Sequence, residues 1–495
     1  MIQFDYQLLL NQLVYDPKNP LLFSSGFFLY FFILFYTLYY LFRNNFRSRA
    51  IILSLFSLYF FYKASGAFVV LVLISTIIDF ILSNLIHKQK KYFIKKLLLS
   101  LSVIFNLGLL FYFKYTNFFI ELINSLGTSQ FEFLNLILPI GISFYTFENL
   151  SYTIDVYKGE IKPEKNIVNY LLFLSFFPKL VMGPIVRAKD FIPQLKKKYF
   201  VSQYDFSKGF YLILTGLIKK LIISDYISLN LVDYVFDGPS LHNGFECLIA
   251  LYGYAIVIYC DFSGYSDIAI GIAKWLGINI PTNFISPYQS KSIKEFWKRW
   301  HISLSSWLQD YLYIFTFGGN RKGKFRTNLN LLLTMILGGF WHGASWTFII
   351  WGTLHGLGLI IHKAYSNLIL FRTEKSILIK TNNVFNVIIT FHFVLFCWIF
   401  FRASDLNTAQ QFLNEIIYNF SFVGLNDFYY NYKSVIFMIL FGLILHFIPD
   451  NIGEWIVKKQ MTFNMVYFVL CFLGFMVLYS FFKSAEPVMP IYLQF

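Results

Sequence analysis

Leu21 to Phe42 reads LLFSSGFFLYFFILFYTLYYLF, twenty-two residues without one Asp, Glu, Lys, Arg or His. A helix needs about 20 apolar residues to cross the hydrocarbon core of a bilayer, so this stretch predicts a membrane span. Comparable runs follow at Gly66–Ile86, Leu97–Phe113, Leu134–Tyr152, Val168–Met182, Phe210–Ile223, Phe245–Tyr259, Leu329–Phe340, Thr347–Ile361, Val384–Phe401, Val435–Ile448 and Met465–Phe482. Transmembrane strands would show alternating hydrophobicity in segments of about ten residues, whereas these runs are continuously apolar. The expectation is an all-α integral membrane protein, a bundle of about eleven transmembrane helices, with the shorter runs tilted or re-entrant. With 57% hydrophobic and 14% charged residues, too little polar sequence remains to coat soluble domains of this total length. No fixed-period repeat, low-complexity tract or long linker divides the chain, so residues 1–495 are expected to form a single polytopic membrane domain.

The net charge of +15 is read as topology, not as a nucleic-acid footprint, because the cations sit in short loops between apolar runs. Arg43, Arg47 and Arg49 precede, and Lys88, Lys90, Lys91, Lys95 and Lys96 follow, a stretch that can cross and return near Lys63 to Gly66. Both basic loops then face the cytoplasm, and Met1 to Pro20 the outer side. The first long apolar run is followed by arginines and not by small residues, so no cleavable signal peptide is expected. Cys247, Cys260, Cys397 and Cys471 are widely spaced and adjoin apolar runs. Neither a disulfide framework nor a zinc site is indicated, and no Asp/Glu cluster has metal-site spacing.

A histidine stands out against this background in Gly338-Gly339-Phe340-Trp341-His342-Gly343-Ala344-Ser345-Trp346. Ionisable groups at membrane depth are costly and mark pathways or reaction centres, which makes His342 the first catalytic candidate. The segment from Cys260 to Arg326 is richer in charge, Pro, Gly and Trp than its surroundings, and residues 260–346 are read as a catalytic-chamber segment. Within it Ile293, Phe296, Trp297, Trp300, His301, Leu304, Trp307, Leu308, Tyr311 and Leu312 recur at helical spacing, opposite Lys291, Lys294, Glu295, Lys298 and Gln309. This predicts one amphipathic helix at the membrane interface, with His301 on its buried stripe. Neutral imidazole can take a proton from a hydroxyl and return it; each histidine taken alone is better explained as a hydrogen-bonded core residue, the reading kept for His355, His362, His392 and His446.

Three other stretches carry polar groups. Gly318-Gly319-Asn320-Arg321-Lys322-Gly323-Lys324-Phe325-Arg326 can receive phosphates through Arg321, Lys322 and Lys324, or serve only as a positive-inside loop. Asp261-Phe262-Ser263-Gly264-Tyr265-Ser266-Asp267 sets two carboxylates at the edge of a span, to line a polar tunnel or to cap a helix. Phe177-Pro178-Lys179 to Gly183-Pro184-Ile185-Val186-Arg187 predicts a broken, re-entrant segment.

Taken in order, Phe176 to Arg187, Asp261 to Asp267, Phe296-Trp297-Lys298-Arg299-Trp300-His301-Ile302-Ser303-Leu304 and Trp341-His342-Gly343 resemble the successive signatures of the membrane-bound O-acyltransferase family. The alginate O-acetyltransferase branch fits best, from about Leu22 to the C-terminus. The resemblance implies helices around a central tunnel, His342 as the catalytic histidine, His301 as the second, and acyl transfer from a cytoplasmic thioester to a hydroxyl. Trp300, Trp341, Asp261, Ser263, Asp267, Arg321, Lys322 and Lys324 are the matching candidates for donor binding or tunnel lining. Pro490-Ile491-Tyr492-Leu493-Gln494-Phe495 resembles the terminal motif of bacterial acyl-export systems, which implies a relay role for Tyr492 within residues 485–495; Pro490 and Leu493 depart from the usual aromatics, and an interfacial anchor is the other reading.

The implied donor is acetyl-coenzyme A, a substrate and not a bound cofactor. The implied partner is an extracytoplasmic SGNH-type, serine-hydrolase-like acetyltransferase, through which a glycan acceptor is esterified; the implied location is the bacterial inner membrane. D-alanyl transfer to teichoic acid is the alternative within the family, and a glycan-precursor transporter the alternative outside it.

Overall fold

The computed structural model describes residues 12–17, 19–23, 25–127, 130–321, 323–370, 383–482 and 488–491, which are mostly helical with no strand among them. Among the described residues six helical stretches are long and apolar enough to cross a membrane: Phe46–Lys88, Tyr92–Leu126, Gly244–Trp275, Asn383–Arg402, Leu425–Phe447 and Met465–Phe482. The opening run is shorter than its apolar letters suggest. Its helix, Gly26–Leu41, starts only after Ser25, whose hydroxyl accepts from the Phe28 N–H. The Phe46–Lys88 stretch is two helices, Phe46–Ser65 and Val69–Lys88, joined by the short turn Gly66–Phe68. The chain forms two compact units, Met1–Gly209 with Ile268–Pro281, and Phe210–Asp267 with Thr282–Phe495.

In the first unit Ile142–Lys158 is buried along nearly its whole length. Such a helix can carry polar residues only if they bond within protein. Ser102 donates to Asp79 Oδ1, Asn106 Nδ2 donates to Asp79 Oδ2 at 2.7 Å, Asn149 Nδ2 to Asn106 Oδ1 at 3.2 Å, and the Tyr170 hydroxyl to Asn149 Oδ1 at 2.7 Å. The chain after it is broken, as Pro178, Gly183 and Pro184 predict: Ile167–Ser175, one turn at Phe177–Leu180, then irregular backbone before Ala188–Leu195. Residues 176–186 are buried, which is the condition for irregular backbone at membrane depth. Glu148 anchors the break by pairing with Lys179 and by accepting from the Val186 N–H at 3.1 Å.

The second unit is built on residues 244–267 of Gly244–Trp275, the longest helix among the described residues, packed against Ile218–Val232, Asn383–Arg402 and Leu425–Phe447. Tyr288 ties a connecting segment to it, donating through its hydroxyl to the Ala255 carbonyl at 2.7 Å and through its N–H to His446 Nε2 at 3.0 Å.

Candidate active site

The single amphipathic helix expected across residues 293–312 is broken. Ser292 caps Ile293–Arg299 by accepting from the Glu295 N–H, and Glu295 accepts from the Lys291 N–H at 2.9 Å. At Trp300 the backbone turns extended, His301 adopts φ 44° and ψ 55°, and Ile302–Trp307 begins a new helix that widens over Leu308–Thr316. A side chain other than glycine at positive φ costs energy and persists where surrounding bonds hold it. Asn283 supplies them. Its carbonyl accepts from the Ile302 N–H at 2.9 Å, and its Oδ1 accepts from the Ser303 hydroxyl at 2.8 Å and faces His301 Nδ1 at 3.1 Å. Asn283 Nδ2 in turn donates to Ser266 Oγ at 3.3 Å.

An amide oxygen can only accept, so Nδ1 of His301 carries the proton and Nε2 is the basic nitrogen. The ring is 0% exposed and edge-on to Phe262, 4.6 Å between centroids. Its backbone strain therefore aims a buried imidazole of fixed tautomer.

His342 ends the helix Gly323–His342, and Trp346–Leu370 folds back against it. The two backbones touch at Gly339 and Gly352: a Cβ on Gly339 would lie 2.3 Å from the Phe348 carbonyl oxygen, and one on Gly352 2.3 Å from that of Met335. Small residues at a crossing are what permit such approach between membrane helices. The hairpin seats His342 among Trp351 and Phe401, at 5.1 and 5.2 Å between ring centroids. Trp341 joins the two histidines: its indole lies 4.8 Å from the His342 ring and 6.4 Å from that of His301. Trp300 belongs to the same aromatic wall, 5.0 Å from Trp398, which stacks on Trp351 at 6.1 Å.

Asp261, Ser263 and Asp267 lie inside the helix Gly244–Trp275, so neither carboxylate caps a helix end. Gly264 admits the neighbouring backbone, since a Cβ there would sit 2.7 Å from the Gly216 carbonyl oxygen. This close approach presents two consecutive lysines. Lys219 pairs with Asp267 at 2.7 Å, and Lys220 pairs with Asp261 at 2.6 Å and with Asp225 at 2.8 Å. Asp261 also accepts, through Oδ2, from the Ile491 N–H at 2.8 Å. Ser263 is buried beside them. Asn283, Lys219 and Lys220 were not singled out by sequence; the signal for the lysines was two adjacent cations at the end of the apolar run Phe210–Ile223.

The glycine-rich loop is fixed to its own helix by Asn330, whose Nδ2 donates to the Gly319 carbonyl at 2.8 Å. Arg321 and Lys324 are solvent-exposed. Lys322 and Tyr492 lie outside the described residues. Among the described residues no group of three His, Cys, Asp or Glu side chains has metal-binding geometry. His355 accepts from the Trp297 indole at 3.3 Å, and His392 pairs with Tyr252 at 2.7 Å.

The membrane-bound O-acyltransferase family matches residues 69–404. The chain is 36% identical over 391 residues to the "Peptidoglycan O-acetyltransferase" of Helicobacter pylori, covering 74% of this chain and 73% of the relative. It is 43% identical over 321 residues to the "Probable alginate O-acetylase AlgI" of Pseudomonas putida, covering 63% of each. With the "Teichoic acid D-alanyltransferase" of Bacillus subtilis it shares 31% identity over 286 residues, 55% of this chain and 71% of the relative. The alignments with the alginate relatives thus span less than two thirds of their length.

Proposed function

We propose the following reaction for this chain, a multi-pass membrane acyltransferase that belongs to the membrane-bound O-acyltransferase family: an acetyl group passes from a cytoplasmic thioester, acetyl-coenzyme A, to a hydroxyl and onward to an extracytoplasmic glycan. The observation that carries this reading is the pair of buried imidazoles that both lie within 6.4 Å of the Trp341 indole, centroid to centroid. Acyl transfer to a weakly nucleophilic hydroxyl requires a general base, and a second imidazole close by can hold the reacting groups in line.

In this scheme His342 accepts the hydroxyl proton as the oxygen attacks the acetyl carbonyl, and His301 orients the thioester. The C–O bond forms, the C–S bond breaks, and the departing thiolate takes the proton from the His342 imidazolium. Tyr492 is the proposed first acceptor. The Asp261 bond to Ile491 supports this, because it fixes the residue before Tyr492. An SGNH-type, serine-hydrolase-like transferase outside the bacterial inner membrane then moves the acetyl group to the glycan. Peptidoglycan and an alginate-like exopolysaccharide are the acceptor classes, after the names of the relatives. Arg321, Lys322 and Lys324 are assigned to the donor's phosphates, and Trp300, Ser263 and Asp267 to the wall of the chamber.

D-alanyl transfer is a second reading, supported by the Bacillus subtilis relative at the lower identity of 31%. Purified protein incubated with isotopically labelled acetyl-coenzyme A, followed by mass spectrometry of the C-terminal peptide, tests the scheme. Label on Tyr492 that is lost in His342→Ala and Tyr492→Phe is the expected result. Label that persists in His342→Ala rejects the assigned base; label only from D-alanyl carrier protein favours the second reading. Solute movement without thioester consumption would identify a transporter.

A further inference from the structure

We infer that the first unit carries a binding site for a phosphate-bearing anion, in a cavity of about 470 Å³ whose lining includes Tyr152, Lys162, Glu164, Lys165, Lys189 and Lys196. That volume falls within the roughly 300–1,000 Å³ of small-molecule pockets. Four lysines and one carboxylate contribute to that lining. Glu164 is ionised: burial pushes its carboxyl up, but Lys196 and the Asn166 N–H outweigh this and hold it below the usual carboxylate range. Its Oε2 takes Lys196 at 2.8 Å, while Oε1 accepts the Lys165 and Asn166 N–H groups at 3.0 Å each. One lysine is thereby neutralised, and Lys162, Lys165 and Lys189 leave an excess of positive charge around an open volume.

The cavity wall is built, not merely a flexible loop rich in lysine. The Glu164 N–H donates to the Tyr152 hydroxyl at 2.9 Å, fixing the segment to the buried helix Ile142–Lys158. Ala188 and Lys189, which open the helix Ala188–Leu195, also line the cavity; that helix has no side-chain cap and carries Asp190 in its first turn. The positive end of a helix dipole and its first N–H groups favour an anion there, and lysine binds phosphate as a point charge. Asn84, near the end of Val69–Lys88, donates to the Glu164 carbonyl at 3.5 Å. The cavity therefore lies at the same end of the unit as Lys88, the end that the positive-inside rule assigns to the cytoplasm.

Phosphate at this place has two sources, the phosphates of a soluble nucleotide-bearing molecule or the headgroup of an anionic phospholipid. Binding here requires neither His301 nor His342, so the test reads binding and not transfer. Full-length protein in phosphatidylcholine nanodiscs is titrated calorimetrically with adenosine 3′,5′-bisphosphate, and in parallel its retained lipids are counted by native mass spectrometry after exchange into phosphatidylglycerol. The variants are Lys162→Glu with Lys189→Glu, the milder Lys162→Gln with Lys189→Gln, and Lys95→Glu with Lys96→Glu as a control elsewhere on the basic side; melting curves establish that each is folded. Weakening of bisphosphate binding by at least about tenfold in both cavity variants, with the control near wild type, supports the site with a soluble source. Retained phosphatidylglycerol lost only in the cavity variants supports it with a lipid source. Equal binding of both probes by wild type and cavity variants, equal loss in the control, or no binding of either probe overturns it.

Discussion

The carboxylate of Asp261 accepts a hydrogen bond from the Ile491 N–H at 2.8 Å while its other oxygen pairs with Lys220 at 2.6 Å. One buried acid thus joins the central helix of the second unit, a charged segment from its neighbour and the C-terminal stretch of sequence that resembles an acyl relay. Asp261→Ala is expected to release the tail, giving faster trimming by carboxypeptidase, and to lower acetyl transfer. Asp261→Asn keeps an acceptor for Ile491 and should keep the tail protected. Similar trimming rates in all three proteins would remove Asp261 as the tail's anchor.

Lys220 answers two carboxylates, Asp261 and Asp225. Removing one partner of a buried ion pair leaves uncompensated charge and typically costs about 3–5 kcal/mol. Lys220→Met is expected to lose stability on that scale in detergent-based unfolding, and Lys220→Met with Asp261→Asn and Asp225→Asn to regain part of it. Lack of any recovery would mean that the lysine contributes by packing and not by charge.

For the histidines the expected loss is kinetic. General base catalysis contributes about 10²–10⁴-fold, so His342→Ala should lower acetyl-coenzyme A consumption by a factor in that range at normal protein abundance. If His301 acts on the same transition state, the double variant should be little worse than His342→Ala alone. Multiplicative losses in the double variant would separate their roles.

Much of this architecture is legible in sequence because lipid imposes continuous apolar runs, and the break between Phe176 and Arg187 is legible because proline and glycine announce it. Boundaries are less so. In the run Leu134–Tyr152 the helix begins only at Ile142, since an apolar letter does not say whether its backbone is helical. The break at His301 has no local signal: neither Trp300 nor His301 is a helix breaker, and the bonds that stabilise the turn come from Asn283, which precedes it by 18 residues. The Lys220–Asp261 pair is equally hidden, because periodicity describes one helix face and not which face meets it.

Asn283 is expected to act as a positioning residue through His301. Supporting partners of this kind are typically worth about 10–100-fold in activity at metal-bound histidines, and the same logic applies to an imidazole held at strained φ. Asn283→Ala should lower kcat more than it raises KM. Asn283→Asp retains an acceptor facing Nδ1 but adds a negative charge that favours the imidazolium, so its activity should need a higher pH than wild type. An unshifted pH profile in Asn283→Asp, with equal losses in both variants, would indicate a purely structural role.

Gly339 and Gly352 allow the hairpin that seats His342, and their substitution is expected to act through packing. A Cβ at either position meets a carbonyl oxygen of the facing helix at 2.3 Å, closer than any backbone can tolerate without moving. Overpacking of this sort typically costs about 1–3 kcal/mol. Gly352→Ala should lower the melting temperature and, by shifting Trp351 away from the His342 ring, reduce acetyl transfer. The two single effects should not add in the double variant, because both act at one crossing. A Cβ on Gly474, in the helix Met465–Phe482, would meet nothing within 4 Å; Gly474→Ala should be neutral or stabilising by up to about 1 kcal/mol, the helix preference of alanine over glycine. Equal destabilisation by Gly352→Ala and Gly474→Ala would show that the close approach of the two helices does not set the geometry around His342.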